Sequence, residues 1–303
     1  MSIELDAVSK SFGAVEAIRN VSLTIGQGEM FGLIGHNGAG KSTLFKLMLG
    51  LLPASAGAVR MNGVPTSSAQ FRQVRRRIGY LPESFVSYDN LSGLEVLQLF
   101  ADLKQVARAE CGRVLRRVGL AHAASRRLHT YSKGMRQRLG FAQVLLGDPE
   151  LIFLDEPTNG LDPEGIADFY GILHEAQGRG ATIVITSHIL ADIQDRVDRL
   201  VILDAGKVAA LGTLADLRSR QVLPSHIEVR LPPGGADKVG PALAHLAGVT
   251  IILDGEHATI ACAAALKAQV VAALAPMLLD VSIREPSLED LFLGYGGHHA
   301  RAH

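Results

Sequence analysis

The sequence is poor in cysteine, in excess charge of either sign and in long apolar runs. Its two cysteines, Cys111 and Cys262, stand far apart without a C-x-x-C spacing, which excludes a disulfide framework and predicts two buried free thiols in a reducing compartment. Thirty basic residues balance thirty acidic ones, so no overall charge attracts nucleic acid or anionic lipid, and nucleic acid is not expected as a partner. The arginines at 75–77 and 126–127 read as solvated faces. The most apolar C-terminal stretch, residues 270–279, is interrupted by Pro276 and is shorter than the about 18 residues that cross a bilayer. Met1-Ser2-Ile3-Glu4-Leu5-Asp6 carries acids where a signal peptide has a basic region. Neither a leader nor a membrane span is expected, so any path through a membrane must come from another chain. What the sequence does have is length and apolar content: 303 residues at 48% hydrophobic suffice for two domains.

Short alternating segments at 3–5 and 21–25, broken by Gly13 and by Gly26-Gln27-Gly28, predict antiparallel strands, and 57–63 reads as a further hairpin strand. Residues 84–147 turn helical, forming an insert. An α/β alternation follows: strand 151–154, helix from Pro163, strand 182–186, helix from Ile189, strand 200–203. That is the rhythm of a parallel sheet with helical crossovers. Near 218–224 the organisation changes, and 225–303 reads as a small α+β domain ending in a flexible Gly- and His-rich tail from Gly294. The expected division is therefore 1–220 and 221–303, with the helical subdomain inside the first part.

Residues 35–42, Gly-His-Asn-Gly-Ala-Gly-Lys-Ser, fit the phosphate-loop pattern G-x-x-x-x-G-K-[ST] and follow the apolar run 30–34. A helix starting at Lys41 brings its positive end to the loop. Gly35, Gly38 and Gly40 let backbone N–H groups converge on an anion, Lys41 reaches the β/γ-phosphates, and Ser42 offers a hydroxyl to Mg²⁺. His36, Asn37, Ala39 and Thr43 complete the expected ATP-binding segment. An ordinary glycine-rich turn is the alternative. The strand at 151–154 ends in Asp155 and Glu156, suited to hold Mg²⁺ and to polarise the attacking water respectively, or else to cap a helix. Asp162 before Pro163 reads as an N-cap, with a nucleotide-binding role layered on it. His188 follows the strand 181–187 at the end where such sheets bind ligands, which suggests a γ-phosphate contact.

The order of these elements resembles the ATP-binding cassette (ABC) ATPase family over about residues 1–220. The resemblance implies a P-loop NTPase fold with an antiparallel β subdomain and a helical subdomain. Tyr131-Ser132-Lys133-Gly134-Met135-Arg136-Gln137 then occupies the place of the LSGGQ signature, and Ser132, Lys133, Gly134 and Met135 become ATP contacts. Leu91-Ser92-Gly93 imitates the signature, but Ser92 and Glu95 have capping-box spacing and lie too far from Asp155. In the family the signature of one subunit meets the γ-phosphate held by its partner, which implies a homodimer around two ATP–Mg²⁺. Two departures stand out: Glu83 replaces the usual glutamine after 78–82, and Met135 replaces the signature's final glutamine. A carboxylate at Glu83 can ligate Mg²⁺ and serve in catalysis, yet it adds like charge beside Glu156 and predicts an altered pH dependence of hydrolysis. Phe12 matches the aromatic that stacks adenine, with core packing as the alternative.

A single cassette without membrane spans resembles the ATPase subunit of a multi-subunit transporter, and the stretch 284–292 resembles the C-terminal extension of ABC-2-type ATPases. More narrowly, 35–41, Glu83 and 88–93 are similar to NosF-type ATPases of the copper-processing system that matures nitrous oxide reductase. That resemblance implies a NosY-like permease, a periplasmic NosD-like subunit reached indirectly, and a place on the cytoplasmic face of the inner membrane. Residues 83–99 would form the socket for the permease, unless their apolar side chains face only the helical subdomain. His298, His299 and His303 admit a copper reading or a mobile polar tail. An exporter ATPase for a drug, lipid or polysaccharide, an ABC protein of ribosomes or DNA, and a nucleotide-sensing scaffold with weak hydrolysis are the competing readings.

Overall fold

The computed structural model describes residues 1–187, 193–220 and 224–285, which places His188, the start of the helix expected from Ile189 and the C-terminal histidines outside the described residues. The chain divides into two compact units between Thr213 and Leu214. This is earlier than the expected boundary at 220, because helix α7 (Leu214–Arg220) goes with the second unit.

In the first unit, β1 (Ile3–Phe12) pairs antiparallel with β2 (Val15–Ile25) on one side and β4 (Ala56–Met61) on the other, with β5 (Val64–Pro65) beyond. One face of this sheet is apolar and buried through Ile3, Leu5, Val8, Ile18 and Val59. A six-stranded sheet follows the order β10-β9-β3-β8-β7-β6. Its strands are β3 (Met30–Ile34), β6 (Ile78–Leu81), β7 (Leu151–Asp155), β8 (Thr182–Ser187), β9 (Arg199–Asp204) and β10 (Lys207–Gly212). All pairs are parallel except β9 with β10. Every residue of β3, β7 and β8 is buried, as expected for parallel strands covered on both faces, and this explains the apolar runs at 30–34, 151–154 and 183–185. Parallel pairing also brings the carboxyl ends of β3, β6, β7, β8 and β9 to one edge, where ligands gather in such sheets.

Helix α1 (Lys41–Met48) lies against this sheet: Phe45 meets Phe153 edge-on at 5.0 Å and Tyr80 at 6.1 Å. Helix α2 is short (Phe71–Arg75), and α6 (Pro163–Gly178) follows β7. The helical insert consists mainly of α3 (Gly93–Lys104), α4 (Glu110–Arg117) and α5 (Lys133–Leu145). Ser92 and Glu95 form the expected capping box at the start of α3. Cys111 on α4 is a buried free thiol, as is Cys262 in the second unit, and burial raises the pKa of both.

The second unit is a four-stranded antiparallel sheet, β12 (Thr250–Asp254), β13 (His257–Cys262), β11 (Ser225–Arg230) and β14 (Asp280–Arg284) in that order. Helices α8 (Ala236–Leu243) and α9 (Lys267–Leu274) bury Val239, Leu243, Val270 and Leu274 against Ile227, Val229 and Ile260. Among the described residues no helix is long and apolar enough to cross a membrane.

The approach of β6 to α5 is close, because a Cβ at Gly79 would lie 2.6 Å from Val144 Cγ1 and 2.7 Å from Val144 O. Gln143 Nε2 donates to Tyr80 O at 2.7 Å across the same contact. Gly79→Ala is expected to lower unfolding stability by about 1–3 kcal/mol through overpacking, read as an earlier midpoint in chemical denaturation; an unchanged midpoint would show that the contact has slack.

Candidate nucleotide-binding site

The phosphate loop joins β3 to α1. Gly38 and Gly40 hold φ of 86° and 104°, and the rear of the loop is packed: a Cβ at Gly35 would lie 2.7 Å from Leu203 O, and one at Gly40 would lie 2.8 Å from Ala17 O. The glycines are thus required by backbone shape and by lack of room. Ala39 is buried, whereas His36, Asn37, Gly38 and Ser42 are exposed and Thr43 is half-buried. Helix α1 begins at Gly40 with no side-chain cap, which leaves its first-turn N–H groups for an anion. Lys41 is 8% exposed, and its Nζ donates to Gly35 O at 2.5 Å and His36 O at 3.3 Å. Burial lowers its pKa, opposed by the charges of Glu156, Asp155 and Glu83.

Asp155 closes β7 beside Thr186 of β8, whose hydroxyl donates to Asp155 Oδ1 at 2.6 Å. The same hydroxyl accepts from the backbone N–H of Glu156 at 2.9 Å, so one threonine orients both acids. Glu156 is buried with φ at 48°, a conformation that costs about 1–3 kcal/mol for a non-glycine residue and is typical of functional turns. Burial raises the pKa of Asp155; the Thr186 hydrogen bond opposes this, the Glu83 charge adds to it, and Lys41 and Lys46 oppose it. The charges of Asp155, Glu156 and Glu83 thus all act on the Lys41 ammonium. Excess negative charge on hard oxygens, with the Ser42 hydroxyl nearby in sequence, is a donor set that fits Mg²⁺.

Ser132 caps α5, accepting from Met135 N at 3.2 Å, and the signature segment lies against the loop after Glu156. A Cβ on Gly134 would lie 3.0 Å from Gly160 O, and one on Gly160, at φ 88°, would lie 2.9 Å from the Lys133 side chain. Buried Gln137 donates to Pro157 O at 2.8 Å. Asp162 caps α6 by accepting from Gly165 N at 3.0 Å, with Pro163 in the first turn, and Arg138 approaches its carboxylate at 3.9 Å. Phe12 is 49% exposed, and the Lys10 ammonium lies over its ring 5.1 Å from the centroid, so the side chain is not part of the core.

Sequence reasoning missed Thr186 and Gln137. The available signals were a threonine inside an apolar strand and a polar residue on a buried helix face. Burial raises the Asp155 pKa, so an activity that needs this carboxylate ionised is expected to fall on acidification at a higher pH than an ordinary aspartate would impose. Glu83→Gln removes a like charge, so this fall moves to lower pH; Thr186→Val removes the opposing hydrogen bond, so it moves to higher pH. Profiles of ATP hydrolysis that coincide for wild type and both variants would contradict this coupling.

The model of the ABC transporter family matches residues 18–159. The chain is 38% identical over 285 residues to an uncharacterized ABC transporter ATP-binding protein of Synechocystis sp., spanning 92% of this chain and 78% of that one. It is 33% identical over 309 residues to a daunorubicin resistance ATP-binding protein of Streptomyces coeruleorubidus, spanning 99% and 97%. Among solved structures it is similar to a dimeric, post-hydrolysis ATP-binding cassette bound to ADP and Pi, with TM-score 0.65 and 26% identity over 70% of this chain and 98% of that one. The chain belongs to the ABC transporter family, as an ATP-binding subunit that hydrolyses ATP.

Proposed function

We propose that two copies of this chain close around two ATP–Mg²⁺ and drive a separate membrane permease, peripherally at the inner face of the membrane. The observation that supports this best is the Lys41 ammonium under the charges of Glu83, Asp155 and Glu156 at the carboxyl edge of the sheet. In this reading residues 35–43 hold the triphosphate and Phe12 stacks on adenine. Ser42, Asp155 and Glu83 hold Mg²⁺, which draws charge from the phosphate oxygens. Glu156 polarises water, and His188, outside the described residues, contacts the γ-phosphate. Ser132, Lys133, Gly134 and Met135 of one copy, with Asp162 nearby, face the γ-phosphate of the other. Two charge-assisted contacts of about 1.5–3 kcal/mol each shift closure by roughly 10²–10⁴-fold.

The permease seat we assign is the apolar surface of Val86, Tyr88, Leu99 and Leu103; Val86 is 85% and Tyr88 67% exposed, while Val96 and Leu97 face the core. This surface adjoins a loop laid along the lead-in to the signature. Leu128 N donates to Leu91 O at 2.9 Å, Arg127 Nη1 to Asn90 O at 2.7 Å, and Arg136 Nη1 to Asp89 Oδ1 at 2.6 Å. The segment 91–93 that imitates a signature thus supports the real one.

For the cargo, the drug-resistance name of a relative matched over nearly its whole length favours an exporter. The copper-processing reading rests on His36, Glu83 and 88–93 of the sequence. A copurified permease complex that carries copper and is stimulated by it would reverse that preference. Glu156→Gln with saturating ATP–Mg²⁺ is expected to double its mass in light scattering, while Lys41→Ala stays monomeric. A Glu156→Gln chain that binds ATP and remains monomeric would contradict the dimer.

A further inference from the structure

The rear of the phosphate loop rests on the turn that ends β9, Asp204-Ala205-Gly206. Gly206 N donates to Ala39 O at 3.0 Å, and Gly206 O accepts from Arg19 N at 2.8 Å, so the turn is fixed between the loop and β2. Ala205 and Gly206 hold φ of 46° and 79°. A side-chain contact joins the same two parts: His36 Nε2 lies 2.9 Å from Asp204 Oδ1. The other ring nitrogen, Nδ1, lies 2.8 Å from Asn37 O. Both neighbours are acceptor oxygens, and the ring, donating through whichever nitrogen carries hydrogen, spans from the β9 turn to the loop's own backbone. The carbonyl of His36 in turn accepts from Lys41 Nζ at 3.3 Å. His36 therefore links the carboxylate of Asp204 behind the loop to the ammonium in front of it.

We propose that Asp204 is a positioning residue for ATP binding: through His36 it holds residues 35–40 in the conformation that receives the phosphates, without itself touching nucleotide. Three glycines in residues 35–40 give the free chain wide backbone freedom, so each contact that orders the loop in advance removes part of a conformational cost from binding. The His36 and Asp204 side chains are 44% and 24% exposed, so the pair acts with the modest strength of a partly screened contact. Such a contact tunes affinity. The bonds from Asp204 run to the loop backbone that receives the phosphates, so the effect is expected on binding ahead of the chemical step.

The proposal rests on residues 35–43 being the phosphate site, and Lys41→Ala measured alongside separates the two claims. Using the full chain and a fluorescent ATP analogue, Asp204→Ala is expected to raise Kd and KM about threefold to fivefold with kcat changed less than twofold. Asp204→Asn keeps an acceptor oxygen and restores most of the affinity. His36→Ala combined with Asp204→Ala is no weaker in binding than the worse single variant. Unchanged Kd in Asp204→Ala, a loss confined to kcat, or multiplying effects in the double variant would each overturn the positioning role, provided Lys41→Ala strongly weakens binding. Unweakened binding in Lys41→Ala would instead overturn the phosphate site.

Discussion

A buried ammonium facing three carboxylates is the constraint around which the N-terminal unit is arranged. Lys41 leaves water at a cost that only nearby negative charge or backbone carbonyls can offset, and both are present: Gly35 O and His36 O accept from it, and Glu156, Asp155 and Glu83 act on it. These groups come from the carboxyl ends of three strands: Gly35 and His36 follow β3, Glu83 follows β6, and Asp155 and Glu156 lie at the end of β7. Parallel pairing of β3, β6, β7 and β8 brings them together, so the apolar core of the sheet sets the electrostatics of its edge.

The same edge is tied mechanically to its surroundings. Thr186 joins Asp155 to Glu156, Gln137 joins helix α5 to Pro157, and the loop at 89–93 is bonded to the segment 127–128 that enters the 3₁₀ turn before Ser132. These bonds join the strand ends to helix α5, and α5 to Asp89 in the loop that carries Tyr88. A neutral chain without a membrane-crossing helix among its described residues needs such links if its hydrolysis is to act elsewhere.

Much of this was legible in the sequence because it is local. The glycine spacing at 35–40, the apolar strands running into Gly35 and Asp155, the Asp162–Pro163 cap and the Ser92/Glu95 capping box are each written within a few residues, and the structure has all of them. What escaped is set by pairing between distant segments. Thr186 meets Asp155 only through the register of β7 on β8, and Asp204 meets His36 across 168 positions. The segment 91–93 is a capping loop bonded to residues 127–128 ahead of Ser132, a relation that spacing alone cannot express. The boundary at Thr213 depends on which unit helix α7 joins, which periodicity does not encode.

Direct titration with a fluorescent ATP analogue in the presence of Mg²⁺, comparing the wild-type chain with Lys41→Ala, tests the central claim most directly. Saturable binding by the wild type that weakens by about 10–100-fold in the variant is the expected result, as the loss of a charged phosphate contact of about 1.5–3 kcal/mol implies. Equal binding by the two proteins would contradict the assignment of the phosphate site to Lys41 and with it the electrostatic account of the sheet edge.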